Sequence, residues 1–138
     1  MGLPPQYRLR GHRVFDRLYR QGRRLHGQLM VLRVLAAESS LLPPPADRLP
    51  PSPWRLGVVV SGKVHKRAVR RNRLRRLLQA ELLRQVEALR QAQERHPAPL
   101  GTSPQWLLLS LKPGCAEADP AQLLEEWQQL LRKAGLSP

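Results

Sequence analysis

A chain of 138 residues suffices for one domain with its own core, without disulfide or metal staples. Its 24 lysines and arginines face only 10 acidic residues, a net charge of +14, with arginine far in excess of lysine; that balance favours a polyanionic partner and bidentate phosphate contacts. The single cysteine, Cys115, excludes an internal disulfide, and no apolar run is long enough to span a bilayer or serve as a signal core, so the expectation is a soluble, cytoplasmic protein with no membrane partner.

Taken in order, Met1 to Leu9 with its Pro4-Pro5 pair reads as an extended basic arm. From Gly11 to Arg20, Val14, Phe15, Leu18 and Tyr19 recur on one face at helical spacing, and Gly22 is a natural stop. Phe15 and Tyr19 are by default core residues. The surrounding Arg13, Arg17, Arg20, Arg23 and Arg24 give them a second reading, as a stacking platform flanked by phosphate binders. Residues 25–36 read as one or two strands, interrupted in charge only by Arg33. Residues 41–53 hold six of the fourteen prolines and read as an extended surface loop. The β-branched run Val58-Val59-Val60 marks a buried strand over 54–61.

The stretch from Gly62 to Arg76 follows at once, with eight cations and no acid until Glu81. It runs into Leu74, Leu77, Leu78, Leu82, Val86 and Leu89 at the spacing of an amphipathic helix. One helix is therefore expected from this stretch to about Arg95, cationic in front and core-packing behind. On a helical projection, Arg67, Arg70 and Arg71 fall on the side of Leu74, whereas Arg73 and Arg76 fall roughly opposite. Charge surrounds the cylinder. Cations about 6 Å apart repel by roughly 0.7 kcal/mol per pair in water before screening, and a solvated helix usually interleaves acids to relieve this. Nucleic acid is the polyanion that fits.

Residues 106–111 form a second buried strand, Lys112-Pro113-Gly114 a turn, and Asp119-Pro120 an N-cap with proline at the first helical position. The last helix places Leu123, Leu124, Trp127, Leu130 and Leu131 on one face. The fold class is α/β (an α+β two-layer sandwich) in a single domain over 1–138, with one mixed sheet of about four strands and helices packed on it.

No catalytic constellation accompanies the charge. Residues 1–76 hold 18 basic groups but only Asp16, Glu38 and Asp47 as carboxylates, in different elements. That is no two-metal cluster of the kind a self-sufficient nuclease uses. The four histidines are scattered, and with one cysteine they make no zinc spacing.

In this order, Arg55-Leu-Gly-Val-Val-Val-Ser61, Lys63, and then Arg67-Ala-Val-x-Arg71-Asn72-Arg73-Leu-x-Arg76 resembles the signature of the bacterial ribonuclease P protein subunit. Phe15, Tyr19 and Gly22 resemble the family's first helix, and Trp106 to Pro113 its last strand and turn. The resemblance implies the accessory protein subunit of an endoribonuclease, a hydrolase that removes the 5′ leader of precursor tRNA. Magnesium-dependent catalysis would lie in its RNA. It implies that Lys63, Lys66, Arg67, Arg70, Arg71, Asn72, Arg73, Arg75 and Arg76 face the ribonuclease P RNA. A leader-binding cleft would be formed by Phe15, Tyr19, Arg13, Arg17, Arg33, Val58 and Val60. It also implies a left-handed strand-helix-strand crossover around the basic helix. No metal held tightly by the protein and no obligate protein partner are expected. The chain departs from the family pattern in having Gly62-Lys63 where paired lysines are common, Arg33 where an aromatic ring is frequent, and a longer proline-rich loop. A structural RNA-binding protein of the ribosomal type is the alternative reading, and a stand-alone nuclease the third.

Overall fold

The computed structural model describes residues 3–43, 54–95 and 104–136, so most of the proline-rich loop predicted at 41–53 lies outside them. The chain forms α1 (His12–Gln21), β1 (Arg23–His26), β2 (Met30–Ala36), β3 (Trp54–Val59), α2 (Ala68–Arg95), β4 (Gln105–Leu111) and α3 (Pro120–Lys133), with single 3-10 turns at Pro5–Tyr7, Ser39–Leu41 and Cys115–Glu117. The sheet order is β1-β2-β4-β3; β1 with β2 and β2 with β4 pair antiparallel, and β3 runs parallel to β4.

Period-two alternation decides what each face of the sheet carries. Met30, Leu32 and Val34 of β2, paired with Leu111, Leu109 and Leu107 of β4, bury against Leu78, Leu82 and Val86 of α2 and Leu123, Trp127, Leu130 and Leu131 of α3. Their alternates, Leu35 on β2 with Trp106 and Leu108 on β4, pack under Val14 and Leu18 of α1. Helices therefore lie on both faces, a large layer of two on one and α1 alone on the other. Being covered twice, β4 is a continuous buried run from Trp106 to Leu109.

The hand of the β3-α2-β4 crossover follows from the stereochemistry of L-residues. On a strand drawn upward, a residue whose side chain faces the viewer directs its own N–H and C=O to the right. Seen from the α2 side, Leu56 of β3 faces the viewer, and its carbonyl accepts the Leu9 N–H at 3.2 Å. The N-terminal segment thus lies to the right of β3 and β4 to the left. A chain that rises along β3, returns in front through α2 and enters a strand on its left makes a left-handed crossover, against the general rule.

That same N-terminal segment is not a free arm. Leu3, Tyr7 and Leu9 are buried, Arg8 bridges in parallel to Leu56, and the buried guanidinium of Arg55 donates to the carbonyls of Pro5 (3.0 Å) and Arg8 (2.9 Å). Residues 3–9 strap the outer edge of β3, because the Leu9 N–H pairs with the Leu56 carbonyl of that edge while the side chains at 3, 7 and 9 bury against the two cores. Gly22 ends α1 as predicted, but with φ −64° rather than a left-handed conformation. Its N–H bonds the Leu18 carbonyl, and a side chain there would press on that oxygen.

At the other end, the Glu126 carboxylate accepts the N–H groups of Gln28 (2.9 Å) and Leu29 (2.8 Å), and Lys112 Nζ donates to the Gly27 carbonyl (2.6 Å). These bonds fix the β1–β2 turn to α3 and β4. Asp119 opens α3, its N–H returned to Gln122 Oε1 at 3.1 Å.

Cys115 is fully buried in its turn, and burial, helped by the nearby Glu126 charge, pushes its thiol up from 9.0 to about 11. A thiol whose pKa rises on folding favours the native state while protonated. Its contribution is complete below pH 9 and fades as pH climbs toward 11. At neutral pH the folded protein is expected to resist a disulfide-exchange reagent that modifies urea-unfolded chains rapidly; equal rates would mean that the 115–117 turn opens by itself.

Candidate nucleic-acid interface

The basic stretch is built as a loop followed by a helix. Val60 and Val64 are both buried, and the Val64 N–H closes a turn on the Ser61 carbonyl at 3.0 Å. The Arg67 N–H donates to His65 Nδ1 at 3.0 Å, and Arg71 Nη1 reaches back to the carbonyls of His65 and Lys66, both at 2.9 Å. Helix α2 therefore begins at Ala68, not at Gly62 as the run of cations suggested, and Lys63, Lys66 and Arg67 project from the connection. The imidazole and the Arg71 fork occupy the backbone groups that a longer helix would have used.

Within α2, two of the predicted RNA-facing arginines also hold the protein together. Arg71 is the clasp on the loop just described. Arg75 donates through Nε to the Val58 carbonyl (3.4 Å) and through Nη1 to Asn72 Oδ1 (2.6 Å), tying the helix to β3. The remaining six, Lys63, Lys66, Arg67, Arg70, Arg73 and Arg76, are exposed, and among the described residues none pairs with a carboxylate. The nearest acid along the helix, Glu81, is taken by Arg84. Val69, 70 % exposed, adds bare apolar surface among them. Arg73 is not set opposite Leu74: Arg70, Arg73, Leu74 and Leu77 line one cavity, and Arg76 stands on the other flank beside Leu3 and Pro4.

A second cationic surface lies across the sheet, beneath α1. Phe15 packs on β3, where a side chain at Gly57 would come within 3.2 Å of its ring and crowd Leu9 and Leu108 as well. Phe15 is thus half-buried in the smaller core, while Tyr19, one turn on, is 50 % exposed. The Arg33 guanidinium lies 4.7 Å from the centre of the Tyr19 ring and donates from Nη1 to Ser110 Oγ at 3.4 Å. Its Nε is buried with no hydrogen-bond partner among the described residues. Arg13 is exposed, whereas Arg17 is engaged by Glu38 at 3.1 Å.

The structure does not bring Val58 and Val60 to this cleft. Both pack with the α2-side core, and the β3 residues that face α1 are Gly57 and Val59. The predicted alternation was displaced by one residue, which turns every side chain to the other face. Sequence reasoning also passed over Ser110 and His26. The antiparallel register sets Ser110 and His26 beside Val31, and Arg24 beside Arg33, on the α1 side. Only a correct pairing of β1, β2 and β4 could have found them.

The sequence model of the Ribonuclease P family matches residues 3–135, nearly the whole described chain. The chain belongs to the ribonuclease P protein family. Among its relatives, the ribonuclease P protein component of Parasynechococcus marenigrum (strain WH8102) is 52% identical over 136 residues, covering 99% of this chain and 98% of that protein. The component from Synechococcus sp. (strain WH7803) is 49% identical over 142 residues, with both chains covered in full. Among solved structures, a Thermotoga maritima RNase P protein in complex with 1-(4-fluorophenyl)-2-thiourea superposes with a TM-score of 0.64 at 20% identity over 90% of this chain and 96% of its own. A Staphylococcus aureus RNase P protein gives 0.62 at 17% identity over 96% and 98%. At those identities the structures speak for the fold, and the two relatives at 52% and 49% identity carry the family membership independently. Both surfaces built above therefore belong to a ribonuclease P protein.

Proposed function

We propose that this chain is the protein subunit of ribonuclease P, and that it binds the RNA subunit through residues 63–76 and the single-stranded 5′ leader of precursor tRNA across the α1 face of the sheet. The observation that carries the reading is the set of six exposed cations between Lys63 and Arg76 with no acid to neutralise them among the described residues, in a member of this family. Arg71 and Arg75 hold the loop and the front of α2, which present these cations on both flanks of the helix to RNA phosphates. Tyr19 and Arg33 offer two stacked planar groups to unpaired bases, the geometry by which single strands are held without sequence readout. Hydrolysis of the leader phosphodiester is assigned to the RNA, with magnesium on RNA and substrate phosphate oxygens, the hard ligands that ion prefers. This chain's part is to orient the leader and to offset phosphate repulsion as the two RNAs come together in the cytoplasm.

Reconstitution tests the reading. Purified protein alone should not cleave 5′-labelled precursor tRNA, and adding it to a bacterial ribonuclease P RNA at low magnesium should strongly stimulate cleavage at the mature 5′ end. Absence of stimulation would favour a purely structural RNA binder, and cleavage by the protein alone a nuclease centre in this chain.

A further inference from the structure

Between the front of α2 and the start of α3 lies a cavity of about 380 Å³, within the range of small-ligand sites. Leu74, Leu77 and Leu123 form its floor, and Ala116, Ala118 and Pro120 its far wall. Its near rim is Arg70 and Arg73, two exposed guanidinium groups with no partner among the described residues. Contact with phosphates alone would call for no such recess: an apolar hollow gains nothing from a phosphate, and packing normally closes one. Here Ala116 and Ala118 leave the space open where larger side chains would fill it.

We propose that this cavity receives an unstacked nucleobase of the RNA bound by residues 63–76. The inference rests on the RNA-binding reading of that segment and names what the segment takes in. Aliphatic walls accept the flat apolar faces of a base, and an arginine plane stacks on it or pairs with its flanking phosphate. Charge fixes the orientation. Glu117 and Asp119 are exposed beyond the far wall and repel phosphate there, so the strand enters from the α2 side, over Arg70 and Arg73.

The test fills the hollow and leaves the charges in place. Ala118→Leu sits on extended backbone that accepts any side chain. It is expected to weaken binding to ribonuclease P RNA about tenfold, with an unchanged salt dependence and an unchanged melting temperature. Equal affinity in a folded Ala118→Leu protein overturns the cavity proposal while leaving the RNA-binding reading intact; failure of the unaltered protein to bind that RNA overturns the reading instead. A measurement on the unaltered chain stands whatever the variant does. In amide NMR spectra, adenosine 5′-monophosphate should shift Leu74, Leu77 and Ala118, and ribose 5-phosphate should not. Shifts at these residues with both compounds or with neither overturn the proposal, as do shifts there with polyglutamate alone, which would make the cavity an acidic-peptide site.

Discussion

Alanine at Arg67, Arg70 and Arg73 together is expected to lower affinity for ribonuclease P RNA on the order of a hundredfold at moderate salt, and to flatten its salt dependence by about two to three units of log–log slope. The three side chains are exposed and, among the described residues, have no acidic partner and make no side-chain hydrogen bond, so the melting temperature should stay within a degree or two of the parent. The parent, neutralising about six phosphates, should lose on the order of a thousandfold between 50 and 200 mM salt. Arg71 is the wrong choice for this experiment despite its place in the Arg-Asn-Arg triplet. Its removal frees the carbonyls of His65 and Lys66 and lets the loop bearing Lys63 and Lys66 drift, so lost affinity would mix charge with shape. Unchanged affinity and slope in the triple variant would remove residues 63–76 from the interface.

What could be read from the residues, and what could not, divides along the range of the interactions. Helix α3 was legible from end to end: its cap, its first-turn proline and its leucine–tryptophan stripe are all local signals. Strands β2, β3 and β4 announced themselves as apolar runs, but β1, which opens on Arg23 and Arg24, did not, and neither did the facing of β3. Val58, Val59 and Val60 are apolar on both sides, because helices cover both sides of the sheet there, and a run without polar alternates has no readable phase. The start of α2 was hidden for another reason. Val64 is the one apolar side chain between 62 and 67 and by itself sets no period, and what stops the helix is the reach of Arg71 back to two carbonyls and the burial of Val64. The N-terminal strap depends on Arg55, 47 residues from Arg8, whose burial lowers its affinity for a proton and is borne because two strap carbonyls surround it. Such contacts belong to topology, and no periodicity carries them.

The largest contrast expected at the second surface separates two rings one turn apart. Tyr19→Ala should leave the protein as stable as the parent, since half of the ring is already in water, and should weaken binding of leader-bearing precursor relative to mature tRNA by about tenfold, within the roughly 1–3 kcal/mol a stacked base provides. Phe15→Ala should do the reverse. Its ring fills the space over Gly57 against Leu9 and Leu108, so the change opens a cavity in the smaller core and costs about 2–4 kcal/mol of folding stability. Whatever leader binding remains would fall with the folded fraction. Arg33 links the two outcomes: without the Tyr19 ring its guanidinium keeps, among the described residues, the Ser110 hydroxyl at 3.4 Å. Tyr19→Phe, which preserves the stack and removes the hydroxyl, should therefore restore discrimination between precursor and mature tRNA. If Tyr19→Ala discriminates as well as the parent, the leader does not lie on this face, and the exposed tyrosine over a half-buried arginine is a packing arrangement alone.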